Sequence, residues 1–197
     1  MTKKVLLIFI WSVYILVCVI FIRIFFADIN YKRSQALLNG NYLESAVNLS
    51  EKAVSQNPLE PNYYKGRAKV YLIKFLYVKD LSIKSQIKEK ILADLEKAYF
   101  LNENNLVTIR NIFPLYYLLA LKDINLETFQ NNTDSKYLEV TKEFLEFNKK
   151  RFWNDAGVIA SVAKYERKLG LVREYSESVQ RIMELRPDLL DWYESFR

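Results

Sequence analysis

From Val5 to Ile22 the chain reads VLLIFIWSVYILVCVIFI, eighteen residues without a charge. Arg23 follows, and then a further apolar trio, Ile24-Phe25-Phe26. At about 1.5 Å per helical residue the eighteen cover roughly 27 Å, close to the hydrocarbon thickness of a bilayer. Arg23 can extend its charge to the headgroups and let Ile24 to Phe26 complete the span. Residues 1–26 are therefore expected to form a transmembrane signal anchor. A cleavable leader needs small residues before its cut, and Phe25-Phe26-Ala27 does not provide them. A lipidated Cys18 would need a small residue before it, and Val17 stands there.

Beyond residue 26 the apolar positions return with helical period, and no run alternates as a strand would. Breaks are few. Leu38-Asn39-Gly40-Asn41 ends one helix and starts another, Asn57-Pro58 ends the second, and Leu169-Gly170 and Arg186-Pro187 mark the same punctuation near the C-terminus. No Gly or Pro interrupts Val5 to Leu38. The membrane helix can run straight into the first helix of the domain, or break near Ala27 to Asn30. The pattern of helix, short turn, helix, then Pro describes a repeated helical hairpin.

The segment GNYLESAVNLSEKAVSQNP, Gly40 to Pro58, resembles the second half of a tetratricopeptide (TPR) repeat. That family's 34-residue motif carries small residues at positions 8, 20 and 27, aromatics near 4 and 11, and Pro at 32. Counted back from Pro58, Ala46 takes position 20 and Ala53 takes 27. In the next repeat, beginning at Pro61, Tyr64, Ala68 and Tyr71 take 4, 8 and 11, and Ala98 takes 27. Counted back from Pro187, Ala163 takes 8, but Tyr175 and Ile182 stand where small residues are usual. Residues 61–105 are 45 long, with an insertion placed around Lys79 to Ser85, and residues 106–155 are 50 long with Pro114 inside a helical stretch. The third unit is therefore degenerate, and Asp123 to Asp134 reads as a loop. The resemblance implies an all-α protein, a TPR-like αα-hairpin solenoid of about four hairpins over 27–187 behind the N-terminal helix. Asp188 to Arg197, with Leu189, Leu190, Trp192, Tyr193 and Phe196, is expected to form a capping helix.

Composition narrows the chemistry. The 197 residues include no His, one Cys and four Gly. This excludes an imidazole base, a Ser-His-Asp or Cys-His nucleophile, an intramolecular disulfide, a Cys-rich zinc site and a P-loop. Close acids such as Glu143 with Glu146 and Glu174 with Glu177 have helical spacing and are accompanied by Lys142, Lys149, Lys150 and Arg173, the pattern of a solvated, ion-paired face. No enzyme, cofactor, metal or small-molecule substrate is expected. The net charge is +6, but Lys3, Lys4 and Arg23 lie in the first 26 residues, leaving 26 basic against 23 acidic residues beyond them. A net +3 is far from the footprint of a nucleic-acid binder. Asn48-Leu49-Ser50 and Asn131-Asn132-Thr133 fit the N-glycosylation pattern as chance matches.

The TPR resemblance also implies a concave face built from first helices. It places Asp28, Tyr31, Gln35, Leu38 and Asn39 there from the first repeat, and Asn62, Lys65, Lys69, Leu72 and Ile73 from the second. From the last it places Gly157, Ala160, Lys164, Arg167 and Lys168. Tyr31, Gln35, Asn62, Lys65, Lys69, Lys164, Arg167 and Lys168 are the candidate protein-binding residues, suited to an acidic peptide or a carboxyl terminus. Lys3 and Lys4 before the apolar run favour a single-pass inner (cytoplasmic) membrane protein whose repeat domain faces the periplasm. The use of Lys, Asn, Ile, Tyr and Phe is that of an AT-rich bacterial genome, and the chain resembles small anchored TPR proteins of the periplasmic flagellar collar. Its expected job is a non-catalytic scaffold among other proteins of a membrane-associated envelope complex, with the bilayer contacted through residues 5–26. A chaperone or assembly factor for secreted or outer-envelope clients is the alternative.

Overall fold

A computed structural model of the chain describes residues 3–40, 42–124 and 132–189. Among them run eight α-helices: α1 Lys3–Asn39, α2 Leu43–Gln56, α3 Pro61–Tyr77, α4 Leu81–Leu101, α5 Leu106–Leu119, α6 Ser135–Arg151, α7 Ala156–Lys168 and α8 Val172–Leu185. The extended pairing among them is a single bridge between Leu121 and Thr133, across the neck of the α5–α6 connection. The expected capping helix lies outside the described residues from Leu190 on. Leu189, just before it, packs against the core cluster of Ile159, Ala160, Ala163 and Ile182.

The helix ends are chemically marked. Glu60 accepts from the Asn62 amide with Pro61 at the first helical position, Asp80 from the Ser82 and Ile83 amides, Asn105 from Thr108 and Asp155 from Val158. Each acceptor satisfies an amide that has no partner within its own helix. Gly170, at φ 71°, takes the left-handed conformation that closes α7.

α1 is continuous. No break occurs near Ala27 to Asn30, and its 37 residues make a rod of roughly 55 Å. Its two halves differ in surroundings. Side chains from Val5 to Phe26 are almost all exposed, whereas Ala27 and Ser34 are fully buried. Ala27 shares a core cluster with Ala46 and Ala53 of α2, and the Ser34 hydroxyl donates to the Ala46 carbonyl at 2.7 Å. Small side chains on both helices let α1 and α2 lie close together. α3 and α4 pair in the same way through Ala68 and Ala98, both fully buried.

The third hairpin is built differently. Between α5 and α6 the Tyr116 ring stacks on Phe144, with Phe113 and Tyr99 edge-on to Phe144. Thr141 donates to the Tyr116 carbonyl at 3.1 Å. Rings in place of alanines hold these helices apart, and that is the physical content of the degenerate repeat. In the last hairpin the small residues have moved to α7, where Ala160 and Ala163 receive Ile182 of α8 with Tyr175 beside it. The large residues at two normally small positions are thereby accommodated.

Buried charge braces the helices both within and between hairpins. Arg67 makes a two-pronged bond to Asp94, at 2.9 and 2.6 Å. Lys88, on the helix that the insertion lengthens, donates to the Leu121 carbonyl at 2.8 Å and to Asp134 at 3.0 Å, with its ammonium over the Tyr137 ring. Burial pushes the Lys88 amine below its ordinary value, against the pull of Asp134. Lys149 pairs with Glu166 at 2.9 Å, and Ser178 donates to the other carboxylate oxygen at 2.6 Å. The solvated face expected around Lys149 therefore needs correction. Lys150–Glu146 and Arg173–Glu177 are exposed pairs, but Lys149 is buried between α6, α7 and α8.

Candidate functional site

The first helices of the four hairpins are α1 (its second half), α3, α5 and α7, and each neighbours the next. Gly66 sets the α1–α3 spacing. A β-carbon there would overlap the Tyr31 ring, and the Gln35 side-chain amide reaches the Gly66 carbonyl at 3.5 Å. Tyr31 lies on Tyr63, ring centroids 5.2 Å apart. Tyr63 in turn donates its hydroxyl to Asp28 at 2.9 Å, and burial followed by this bond raises its pKa. Tyr31 and Gln35 thus sit together at the α1–α3 seam.

On α3, Lys65 donates to Asn62 at 2.8 Å, and Asn62 donates to Glu60 at 2.7 Å. Lys69, one turn on, is exposed. Burial, then the like charge of Lys69, holds the Lys65 amine below the usual lysine value. On α7, Lys164, Arg167 and Lys168 are exposed. The Lys168 ammonium stands over the Tyr117 ring of α5 at 5.4 Å, and burial followed by Lys164 lowers its pKa. Two lysine pairs with like-charge coupling therefore occupy α3 and α7. They do not touch; α5 lies between them.

The α5 contribution is absent from the sequence-derived set. Arg110 reaches Asp155 at 3.2 Å, and its guanidinium fills the space a side chain at Gly157 would take. With Tyr117 under Lys168, these two residues carry the face across the third hairpin. Their register was hidden because the third unit lacks the small-residue markers. The signal that finds them is the first-helix start at Leu106, after the Asn105 cap, from which Arg110 and Tyr117 fall at the same offsets as Lys65 and Leu72 after Pro61.

A cleft of about 630 Å³ lies between α6 and α8, its lining including Lys142, Glu146, Lys150, Arg173, Glu174 and Glu177. Its charges pair with one another: Lys142–Glu174 at 3.0 Å, Lys150–Glu146 at 2.6 Å and Arg173–Glu177 at 3.3 Å. Among the described residues no cluster of three or more His, Cys, Asp or Glu is arranged to hold a metal.

Paired antiparallel helices, small residues between them and a face of first helices define a TPR-like solenoid behind one long apolar helix. Comparison by sequence finds no matching family model and no matching curated protein. Comparison by structure does. A thermophilic TPR protein of Thermus thermophilus, TTC0263, superposes with a TM-score of 0.55 at 14% identity, over 86% of this chain and 79% of that one. YrrB, a TPR protein with an unusual peptide-binding site, matches with a TM-score of 0.45 at 15% identity, over 80% of this chain and 68% of that one. The likeness to the Thermus protein establishes the fold.

Proposed function

We propose that this protein is a non-catalytic, membrane-anchored scaffold that binds other proteins through its repeat domain. The observation that carries the reading is α1 itself. One helix is long and apolar enough to cross a membrane at its N-terminal end, and without interruption becomes the first helix of the repeat domain at the other. An exposed apolar rod of this length needs a lipid environment, and a domain fused rigidly to it presents its groove at a fixed height above the bilayer. Lys65, Lys69, Arg110, Lys164 and Lys168 on the first helices suit a partner segment rich in carboxylates. The reading places the domain on the periplasmic side of a bacterial inner membrane, within an envelope assembly such as the flagellar motor collar.

The test is crosslinking in cells, followed by purification of the tagged protein from the membrane fraction and identification of its partners by mass spectrometry. A few partners in stable ratios, all from one envelope assembly, are expected. A broad, substoichiometric set of secreted or outer-envelope proteins would replace the scaffold by a holding chaperone.

A further inference from the structure

The end of the solenoid nearest the apolar rod is defined by three contacts. Arg23 donates from Nη2 to the Ser55 carbonyl at 3.3 Å, next to the last residue of α2. The Asn30 amide reaches the Gln56 side chain at 2.8 Å. Tyr63, three residues into α3, bonds to Asp28, and further along Gly66 lies against Tyr31 and Gln35. α2 thus descends beside α1, and α3 ascends beside it. Following both helices at about 1.5 Å per residue puts the α2–α3 turn, residues 57–60, level with residues 23–27 of α1. That is where the apolar rod ends.

The chemistry of this level suits neither free water nor a protein core. Leu59 projects from the turn at 75% exposure, beside the exposed Pro58. Phe25 and Phe26 are 62% and 50% exposed on α1. Arg23 uses one donor of its five on Ser55. Apolar and aromatic side chains with a guanidinium, at the end of a membrane-length helix, form the pattern of the bilayer interface.

We propose that the α2–α3 turn is a lipid-contact site. Leu59, with Phe25 and Phe26, lies in the headgroup and upper acyl layer of the membrane that α1 crosses, and Arg23 bridges the Ser55 carbonyl to lipid phosphate. The hydrocarbon then ends near Ile22 rather than at Phe26, because a bilayer reaching Phe26 would submerge the turn. The first hairpin is fixed against the surface at two points, the rod and the turn, which sets the tilt of the groove as well as its height. This inference rests on α1 spanning a bilayer.

The test uses the full chain reconstituted into phosphatidylcholine–phosphatidylglycerol vesicles. An environment-sensitive fluorophore is placed singly on native Cys18, on C18S/L59C, or on C18S/L81C. Leu59 and Leu81 are both exposed, so neither substitution removes packing. Leu81 follows the far end of α3, roughly 25 Å from Pro61. Quenching is read with nitroxides at the lipid headgroup, with nitroxides at the acyl-chain end, and with aqueous iodide. The Cys18 label should be quenched by chain-end nitroxide. The Leu59 label should be quenched by headgroup nitroxide and lose most of its iodide access, and the Leu81 label should keep full iodide access. A Leu59 label as open to iodide as Leu81, with Cys18 still quenched in the acyl region, overturns the lipid contact and leaves the anchor standing. A Cys18 label open to iodide removes the anchor, and the lipid contact with it.

Discussion

Tyr116 and Phe144 lie face to face, with ring centroids 4.0 Å apart and planes 10° from parallel. Phe144 is also edge-on to Tyr99 and Phe113, so one ring on α6 joins α4 and α5. Phe144→Ala should cost about 3 kcal/mol, the lower end of the range for losing a packed Phe, because the side chain is only partly buried. Phe147→Ala, on the same helix but exposed, should cost under about 1 kcal/mol. Chemical denaturation of the two variants checks this. Equal losses would mean that the stack is not what holds the third hairpin together.

A close approach of the opposite kind occurs at Gly66. Gly→Ala inside a helix normally stabilises by about 1 kcal/mol. Here the added carbon would overlap the Tyr31 ring across the α1–α3 seam, and overpacking costs about 1–3 kcal/mol. Gly66→Ala should therefore destabilise by roughly 1 kcal/mol net. In Tyr31→Ala the same substitution should become neutral or stabilising. A double-mutant cycle by denaturant titration reads the reversal of sign, and its absence would mean the seam has slack.

These two positions show why part of the fold was legible in the sequence and part was not. Ala46, Ala53 and Ala68 stand at the motif's spacing, and Ala98 keeps its place behind the insertion, because two helices close together admit only small side chains. Those alanines, with the prolines and aromatics around them, make the first two hairpins legible. The third hairpin solves the same problem with rings, and rings carry no fixed spacing, so α5 and α6 are legible as helices while the α5 residues facing α7, Arg110 and Tyr117, are not. Lys149 was indistinguishable in sequence from exposed Lys150. Only the return of α7 and α8 makes the difference, by placing Glu166 and Ser178 over one of them.

The Lys149–Glu166 pair gives a prediction with two arms. Burial pushes the Glu166 carboxyl above its ordinary value, while Ser178 and Lys149 oppose that shift. Lys149→Met should cost about 3–5 kcal/mol, because it leaves a buried carboxylate without its cation. Lys149→Met with Glu166→Met should recover most of that loss, since a well-packed apolar pair of similar volume replaces a desolvated ion pair at little net cost. The raised carboxyl also fixes a pH sign for the native sequence. The folded state takes up a proton at Glu166 at higher pH than the unfolded chain does. Its contribution to stability therefore falls as pH rises through the window just above the ordinary glutamate range. Thermal melts of native protein and Glu166→Gln between about pH 4 and 7 should differ in slope in that window. Parallel curves would mean that Glu166 titrates normally.

If the proposed first-helix face binds an acidic segment, its lysines set how binding responds to charge and to pH. Lys65 and Lys168 are both held below the ordinary lysine value, first by burial and then by the neighbouring Lys69 and Lys164. A bound carboxylate favours the charged amine, so binding and protonation reinforce each other. Affinity for an acidic peptide, with polyglutamate as the probe, should therefore be strongest at neutral pH. It should weaken as pH rises through the lowered lysine values, at lower pH than for a surface lysine pair. Lys65→Glu with Lys69→Glu should abolish the binding. Lys69→Gln should weaken direct attraction yet shift the alkaline loss of binding to higher pH, because Lys65 is then relieved of its like charge. Isothermal titration across about pH 7 to 10, at two salt concentrations, separates these outcomes. Binding that survives the double charge reversal would place the partner surface elsewhere on the solenoid.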